Sequence, residues 1–445
     1  MKYLFILWII VSCAHQSGSK NTSSRLSILQ LVTNESSVEF NILLPRGHNY
    51  QFSVITPEGK KHLALQSQVS EFENSEWVIQ NIAFTGLKYS PEVFKLHVEG
   101  ALKTEEVRDF RLFSQSKESF KFAVGSCADE KHIDQGVYQQ IEARKPEWIF
   151  LIGDNHYPER LPISSPEYLW KSLITARQDF SLYHMQELIP THATWDDNDY
   201  GMNNGDKSFT HREASQHLFK VFFHPQLLEE NIHKGPGIAS RLMLRGMHFS
   251  FLDNRSFRDA PSSEGEHFGQ EQENWFFEDL QKEALPTWII SGDQFFGGYH
   301  EFESYEGLHP QRFDQFIGRL KNIQTPFVFI SGDRHLSEIM QFPRAVLGQL
   351  SFEFTTSPMH AKTYPGSVEA KPNPWRVVGV DGTNSMMFFE THLEEQSWRI
   401  KPQAVGPKGE ILFERQLSLT TERLKDFEAD KPKQRRYRRA RWRRR

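Results

Sequence analysis

Three short apolar runs that each end in Gly-Asp constrain this chain more than any other feature. They are 148–152, 288–290 and 327–330, and the pairs that close them are Gly153-Asp154, Gly292-Asp293 and Gly332-Asp333. Runs this short and this apolar are typical of strands buried in a parallel sheet. Glycine lets the chain turn at the carboxyl end of such a strand, where open α/β sheets bind their ligands.

Further polar side chains stand close to these turns. They are Tyr157, three residues after Asp154, His335, two residues after Asp333, and the carboxylates Asp196, Asp197 and Asp253 at the ends of two other segments. A single Gly-Asp pair is a weak signal, because turns favour both residues. Several carboxylate-ended strands with His and Tyr nearby predict a ring of oxygen and nitrogen ligands around metal ions.

The pattern around the runs predicts two domains. Residues 26–115 hold short alternating strands separated by turn signals, which favour a small β-sandwich of fibronectin or immunoglobulin type. Residues 119–418 alternate strands and helices as βαβ units do, and strands dominate again from about 350. The predicted fold class is therefore α/β (α+β).

The N-terminus carries an export pattern. Met1-Lys2 precedes an apolar run that ends before Ser12-Cys13, so we expect residues 1–12 to be a signal peptide. The stretch before Cys13 resembles a bacterial lipobox, which implies lipidation of Cys13 and a tether over 13–25. Ala14 then indicates the outer membrane, with the protein facing the periplasm or the exterior. An ordinary signal peptide cut nearby is the alternative.

Charge is distributed unevenly along the chain. Residues 431–445 hold 10 of the 52 Lys and Arg residues and no acid, which leaves 42 basic against 57 acidic residues elsewhere. Such a segment repels itself and is expected to be disordered alone. It is suited to contact with anionic lipid, polysaccharide or nucleic acid, and a solvated tail is the alternative.

Only two cysteines occur in the chain. If Cys13 carries lipid, Cys127 has no partner for an intrachain disulfide. Cys127 is then either a small buried hydrophobic residue or a functional thiol, and composition does not decide between them.

The motifs resemble those of a known family. Gly153-Asp154-Asn155-His156-Tyr157 and Ser331-Gly332-Asp333-Arg334-His335 resemble two blocks of the calcineurin-like metallophosphoesterases, and the Tyr is similar to that of the purple acid phosphatase branch. The blocks 122–127, 194–204, 252–259 and 269–275 resemble the alkaline phosphatase D (PhoD) family. All stand in family order, and the resemblance spans about 26–417.

This resemblance implies a four-layer αββα sandwich that holds Fe³⁺ and Ca²⁺ and hydrolyses phosphate esters with a metal-bound hydroxide. The implied metal ligands are Cys127, Asp154, Tyr157, Asp197, Asp333 and His335, with Asp154 bridging the metals. Arg255 is expected to bind the phosphate, with a structural salt bridge as its alternative. Asp253, Asp293, Gln294, Arg258 and Glu338 are expected to play supporting roles.

One position departs from the family pattern. The family's Trp-Asp-Asp-His block has Asn198 where related enzymes have the His that protonates the leaving group. Asn cannot act as an acid near neutral pH. Either the leaving group needs no proton, or His156, His192 or Asp199 replaces the missing acid, or the enzyme is weak.

Together these features predict a monomeric, exported, lipid-anchored phosphomonoesterase or phosphodiesterase of the envelope. The alternative from another class is an inert surface lipoprotein that binds anionic polymer or nucleic acid through its Arg-rich tail. Loss of the tail would remove binding of this kind but would leave hydrolysis of small esters intact.

Overall fold

The computed structural model describes residues 25–420, except 101–104, 117–118, 133–134 and 396. Cys13, the signal peptide and the basic segment 431–445 lie outside these residues, so those predictions stay predictions. Within the described part of the chain, no helix combines the length and apolar character needed to cross a membrane.

The first domain is a sandwich of two four-stranded antiparallel sheets. Their orders are β1-β2-β6-β5 and β4-β3-β7-β8. The strands are β1 (Ser27–Thr33), β2 (Val38–Pro45), β3 (Tyr50–Ile55), β4 (Lys61–Leu63), β5 (Gln66–Glu71), β6 (Trp77–Phe84), β7 (Phe94–Gly100) and β8 (Glu105–Phe110). Alternating apolar residues meet between the sheets, where the rings of Phe40 and Phe110 lie 5.0 Å apart.

Two larger sheets form the second domain. Their strands are β9 (Ser119–Gly125), β10 (Trp148–Ile152), β11 (Thr191–Thr194), β12 (His233–Lys234), β13 (Ser240–Leu244), β14 (Met247–Phe251), β15 (Thr287–Ile290), β16 (Phe327–Ser331), β17 (Ser337–Phe342), β18 (Ser351–Thr355), β19 (Arg376–Val380), β20 (Met386–Leu393), β21 (Ser397–Val405), β22 (Ile411–Glu414) and β23 (Leu417–Thr420). One sheet has the order β11-β10-β9-β20-β21-β22, with β23 also on β21, and the other has the order β12-β13-β14-β15-β16-β18-β17-β19.

Helices connect these strands and cover the sheets. They are α1 (Gln135–Arg144), α2 (Pro166–Asp179), α3 (Asp197–Tyr200), α4 (Arg212–Phe223), α5 (Gln270–Lys282), α6 (Tyr305–Leu308), α7 (Pro310–Leu320), α8 (Arg344–Leu347) and α9 (Ser367–Ala370), with 3₁₀ turns at Glu130–His132, Ser181–His184 and Glu229–Asn231. The start of α2 shows how the local sequence determines where a helix begins. Ser165 accepts a hydrogen bond from the Tyr168 amide at 3.2 Å, and Pro166 occupies the first helical turn.

The layers follow from where the apolar side chains lie. Aromatic residues fill the space between the two large sheets, and Phe122 stacks on Phe389 at 4.8 Å and contacts Trp288 at 5.0 Å. Residues of α1, α2 and α4 cover the outer face of the first sheet, and residues of α5 and α7 cover that of the second. The predicted four-layer αββα sandwich is therefore confirmed.

Parallel pairing sets the position of the site. Strands β9, β10 and β11 run parallel in one sheet, and β14, β15, β16 and β18 run parallel in the other. Parallel strands end at one edge, so loops from both sheets meet at their carboxyl ends. There, Ser126 after β9 donates a hydrogen bond to the Thr356 carbonyl after β18, at 2.8 Å, and joins the two sheets.

Candidate metal centre

The Gly-Asp turns pack against one another at the carboxyl ends of the strands. Gly153 has a φ of 101°, and a Cβ there would lie 2.7 Å from the Cβ of Asp196. The Gly332 amide donates to the Gly292 carbonyl at 2.9 Å, so the turns after β15 and β16 are also adjacent. The absence of side chains at these glycines lets the neighbouring carboxylates approach closely.

Three predicted ligands, Cys127, Tyr157 and His335, cluster at one oxygen of a fourth, Oδ2 of Asp154. The Tyr157 hydroxyl donates to this oxygen at 2.8 Å and lies 3.3 Å from Nε2 of His335. The Cys127 sulfur lies 3.8 Å from the same oxygen. The structure thus brings together a thiol, a phenol, an imidazole and a carboxylate from three separate chain segments.

Carboxylates form the second half of the cluster. Asp154, Asp196 and Asp197 are buried, and one oxygen of each lies within 4.8 Å of the others. Asp333 is close enough for its charge to act on both Cys127 and Asp197. Asp196 is one of the carboxylates that the sequence pattern marked, although it was not among the six ligands that the family resemblance implied. Its Oδ2 is buried without a hydrogen-bond partner.

Four of the predicted ligands have unusual backbone geometry. The φ angles are 60° at Cys127, 51° at Asp154, 62° at Asp333 and 50° at His335. Left-handed backbone is uncommon for residues other than glycine, and it concentrates at functional sites where the surroundings enforce it. Its presence at four of the six predicted ligands marks this loop cluster as a site.

Burial and mutual repulsion oppose the charges that a metal would require. Desolvation, with the neighbouring carboxylate of Asp197, raises the pKa of Asp154 well above its usual range. Desolvation likewise raises the pKa of Tyr157 well above its usual range and that of Cys127 to about 12. The pKa of Asp333 is raised to about 6, first by burial. A cation would reverse these directions, since it stabilises every anionic form at once.

The donor set fits the predicted metals. Carboxylate oxygens suit a hard cation such as Ca²⁺, and the thiol, phenol and imidazole suit a transition metal such as iron. The Asp154 carboxylate adjoins the other carboxylates and also the thiol and phenol, so it is placed to be a ligand on both sides. The unpartnered Oδ2 of Asp196 adds a buried acceptor to the oxygen-rich side.

Arg255 does not have the geometry expected of a phosphate ligand. It is fully buried, its Nε donates to Asp196 Oδ1 at 2.6 Å, and its Nη2 pairs with that same oxygen and with Glu303 at 3.0 Å. Its Nη1 faces the Gly205 carbonyl at 3.4 Å. The salt-bridge alternative therefore describes this side chain, because its donors already face protein acceptors.

Asn198 lies within the cluster. Its amide N–H donates to Asp154 Oδ1 at 3.1 Å, and its side-chain amide donates to Asp197 Oδ1 at 3.1 Å. These hydrogen bonds orient two carboxylates, although the side chain carries no transferable proton at neutral pH.

The predicted substitutes for the missing acid have other partners. Asp199 accepts from the amides of Asn155 at 2.9 Å and Asp196 at 3.0 Å, and it faces His156 Nδ1 at 3.2 Å. His192 is buried beneath the site against Ser240, with a 2.7 Å hydrogen bond, and desolvation lowers its pKa well below the usual range. His156 is fully buried, and its Nε2 has no partner. The geometry thus gives Asp199 a positioning role and separates His192 from the cluster.

The residues expected to play supporting roles are engaged by other protein groups. Asp253 accepts hydrogen bonds from Trp195 Nε1 at 2.9 Å and from the Ile238 amide at 3.0 Å. Asp293 pairs with His267, and Glu338 binds Gln294 Nε2 at 3.0 Å. Each carboxylate is therefore compensated by protein donors.

A cavity of about 720 Å³ lies at the other end of β9 and β10, between the two domains. Its lining includes Arg111, Lys121, Glu147 and Pro190 but none of the predicted site residues. The chemistry at the strand ends is thus separate from this cleft.

Comparisons with known proteins agree with the fold. Neither a protein-family model nor a curated protein matches the sequence. A solved structure of PhoD superposes with a TM-score of 0.68 and 16% identity, over 89% of this chain and 92% of that chain. An amylomaltase from Corynebacterium glutamicum matches with a TM-score of 0.14 and 10% identity, over 31% of this chain and 22% of that chain, which is too little to support an argument. The chain therefore has the PhoD-like fold that its motifs predicted.

Proposed function

We propose that this protein is a metal-dependent phosphoesterase. The observation that carries the proposal is the left-handed backbone at Cys127, Asp154, Asp333 and His335, all around one buried carboxylate cluster. Likeness to PhoD supports the same reaction class, since the match spans most of both chains. The ligand set is intact apart from the neighbouring Asn198.

In this proposal the ligands divide between two metals. Cys127, Tyr157 and His335 would hold iron, Asp197 and Asp333 would hold calcium, and Asp154 would be a ligand for both. Asp196 would add an oxygen ligand on the calcium side. When bound, the cations supply Lewis-acid polarisation of the phosphate and a lowered pKa for water.

The residues around the ligands keep them in place. Asn198 donates to both Asp154 and Asp197, and the Asn204 amide donates to Asp197 Oδ2 at 2.7 Å. Ser357 donates to the Cys127 sulfur at 3.0 Å, which favours the thiolate form. These groups fix the donor atoms before substrate binds, so that less reorganisation accompanies the reaction.

The missing acid indicates which esters react. General acid catalysis is typically worth about 10²–10⁴ in rate when the leaving group is basic. Asn198 cannot supply it, and Asp199 is held by backbone amides. Esters with a stable leaving anion, such as aryl monoesters and aryl diesters, should therefore react best.

An envelope location completes the proposal. Cys13 would carry the lipid anchor, and the basic segment 431–445 would contact anionic lipid or polysaccharide. The protein would then meet its substrate outside the cytoplasm. Labelling with a radioactive fatty acid tests the anchor, and Cys13→Ser should abolish the label.

The activity test uses the purified full chain with an aryl phosphomonoester and an aryl phosphodiester, each with and without chelator. We expect turnover that chelator removes and that added iron with calcium restores. The ratio between the substrates ranks monoesterase against diesterase activity. Bound metal without turnover of either ester would contradict the proposal.

The rival function is an inert surface protein that binds anionic polymer through its tail, and Asn198 is the observation in its favour. Removal of residues 431–445 separates the two. An enzyme retains its turnover of small esters, whereas a binding protein loses salt-sensitive retention on an anionic matrix.

A further inference from the structure

Two exposed aromatic rings stand beside the candidate metal centre. Among the described residues, the large apolar side chains that are strongly exposed include two aromatics, Phe302 at 44% and Tyr364 at 48%. The Tyr364 ring lies 5.5 Å from the ring of His335. Phe302 contacts the guanidinium of Arg334, the residue that directly precedes His335. The other Phe, Tyr and Trp side chains of the described residues are buried or half-buried, so these two rings are the most exposed of their kind there.

Cations lie on both rings. The Arg334 guanidinium carbon is 4.1 Å from the centre of the Phe302 ring, and Lys362 Nζ is 5.2 Å from that of Tyr364. Lys371 also approaches Phe302, at 5.4 Å, but it pairs with Glu301. Cation–π contacts of this kind hold the rings and the charges in fixed positions. We name Phe302, Arg334, Lys362 and Tyr364 the rim.

Arg334 has the free donors that Arg255 lacks. It is half-buried, its Nε is shielded from solvent without a hydrogen-bond partner, and no ion pair engages it among the described residues. It follows Asp333 directly, so its charge lies next to the carboxylate cluster. A guanidinium in this position suits a phosphate oxygen, which accepts two of its N–H groups at once.

We propose that the rim binds phosphate esters of phenols, with Arg334 on the phosphate and Phe302 and Tyr364 against the aromatic leaving group. This inference rests on the proposed function and adds the residues that would select its aryl substrates. Two independent observations meet in it, because exposed rings favour a planar leaving group and Asn198 favours one that departs as a stable anion.

The reaction balances without a protein acid. The oxygen of water bonds to phosphorus while the bond from phosphorus to the phenol oxygen breaks, and the phenolate departs with that electron pair. Both protons of the water remain on the phosphate product. An alkyl ester would instead release an alkoxide, which needs a proton at once.

The main test compares phenyl phosphate with glycerol phosphate in the holoenzyme, using Phe302→Leu and Tyr364→Leu. Stacking on an aromatic side chain is worth about tenfold or more in affinity. We expect each variant to lower kcat/KM for phenyl phosphate about tenfold and that for glycerol phosphate less than twofold. Met243→Ala removes an exposed apolar side chain on β13 and is the control. Equal losses on the two esters would overturn the proposal.

A second readout needs no turnover. Calorimetry with phenylphosphonate and methylphosphonate, which resist hydrolysis, measures the affinity of the rim for each ligand. The proposal requires phenylphosphonate to bind more tightly and to lose that advantage in Tyr364→Leu. If the protein prefers phenylphosphonate but hydrolyses no ester, the proposed function is wrong and the rim still binds aryl ligands. If it hydrolyses esters but binds both phosphonates equally, the proposed role of the rim is wrong and the proposed function stands.

Arg334→Gln separates the phosphate contact from stacking. It should weaken both phosphonates by about tenfold, because charged hydrogen bonds are about twice as strong as neutral ones, and Arg334→Lys should restore part of the loss. Metal content, measured alongside, shows whether Asp333 and His335 remain in place. Arg344→Gln, on α8 at the far end of β17, is the matched control. Unchanged phosphonate binding in Arg334→Gln would show that Arg334 does not contact the phosphate group.

Discussion

Buried carboxylates in two regions of the molecule have opposite surroundings. Glu39 lies on β2, where the first domain meets the second, and is fully buried. It accepts hydrogen bonds from the successive amides of Gln226, Leu227 and Leu228 at 2.8, 3.1 and 2.8 Å, and from Asn81 at 2.8 Å. Asp154, at the strand ends, instead faces two other carboxylates and a thiol.

The difference shows what each group is for. Protein donors compensate Glu39, so it can fasten the two domains without any further partner. Asp154 accepts hydrogen bonds from the Tyr157 hydroxyl and the Asn198 amide, but the carboxylates around it repel its charge, a state that costs several kcal/mol unless a cation is present. Burial raises the pKa of both Glu39 and Asp154. Burial alone therefore does not distinguish a structural acid from a ligand, whereas the other carboxylates and the thiol packed around Asp154 do.

The largest effect should follow Asp154→Asn. The variant removes the oxygen shared by both groups of ligands, and metal stabilisation of a phosphoryl reaction is worth several kcal/mol. We expect kcat/KM to fall by more than about 10³ and bound metal to decrease. Asp259→Asn, at a surface carboxylate paired with Lys207, is the control. Undiminished turnover with full metal content would refute the bridging role.

Glu39→Ala tests the other side of the comparison. It leaves three successive backbone amides without their acceptor, so we expect the free energy of unfolding to fall by about 2–3 kcal/mol. Urea denaturation measures the loss, and metal content should be unchanged. Glu58→Ala, at an exposed position of the same domain, should change stability by less than about 0.5 kcal/mol. Equal effects of the two variants would show that the Glu39 hydrogen bonds do not fasten the domains.

Asn198→His tests whether a histidine at this position can supply the general acid that the site lacks. The new imidazole should raise kcat for an alkyl phosphate by about 10–100-fold and that for an aryl phosphate much less, because only the alkyl leaving group needs a proton. The pH profile should gain a fall in rate as the pH rises through the pKa of the new imidazole, because the acid acts in its protonated form. A matching gain on both esters would mean that the substitution acts on the metals instead.

Glu353 provides a smaller, pH-dependent test. It is fully buried, it accepts from Ser331 Oγ at 2.7 Å, and burial raises its pKa from 4.5 to about 8. Its raised pKa favours the folded state fully below about pH 4.5, and that contribution is lost as the pH rises through 8. Glu353→Gln should therefore shrink the loss of stability between pH 5 and pH 8 by at least about 1 kcal/mol. An unchanged pH dependence would mean that Glu353 ionises freely.

The sequence predicted those elements whose pattern is local. The apolar run 148–152 forms a strand with those same bounds, and the run 327–330 forms a strand that extends one residue further, to Ser331. Both strands are buried on both faces, as a continuous apolar run predicts, so the local sequence is enough to locate them. Helix ends depend more on tertiary packing: α5 ends at Lys282, although neither Gly nor Pro directly follows it.

The remaining features depend on tertiary contacts. Short strands such as β12 and β13 pair at the edge of a sheet and have little apolar pattern of their own. The pairing of Arg255 with Asp196 joins residues 59 positions apart, and no local motif signals it. The left-handed turns at Cys127 and His335 likewise arise because the surrounding loops enforce them.

Metal analysis of the purified full chain tests the central claim most directly. The wild-type protein and Asp154→Asn would be measured by elemental analysis and by visible absorption, which detects a phenolate or thiolate bound to Fe³⁺. The account predicts about one iron and at least one calcium per wild-type chain, a visible band that Tyr157→Phe removes, and reduced metal in Asp154→Asn. A folded wild-type chain that holds no metal, even after incubation with iron and calcium, would contradict it.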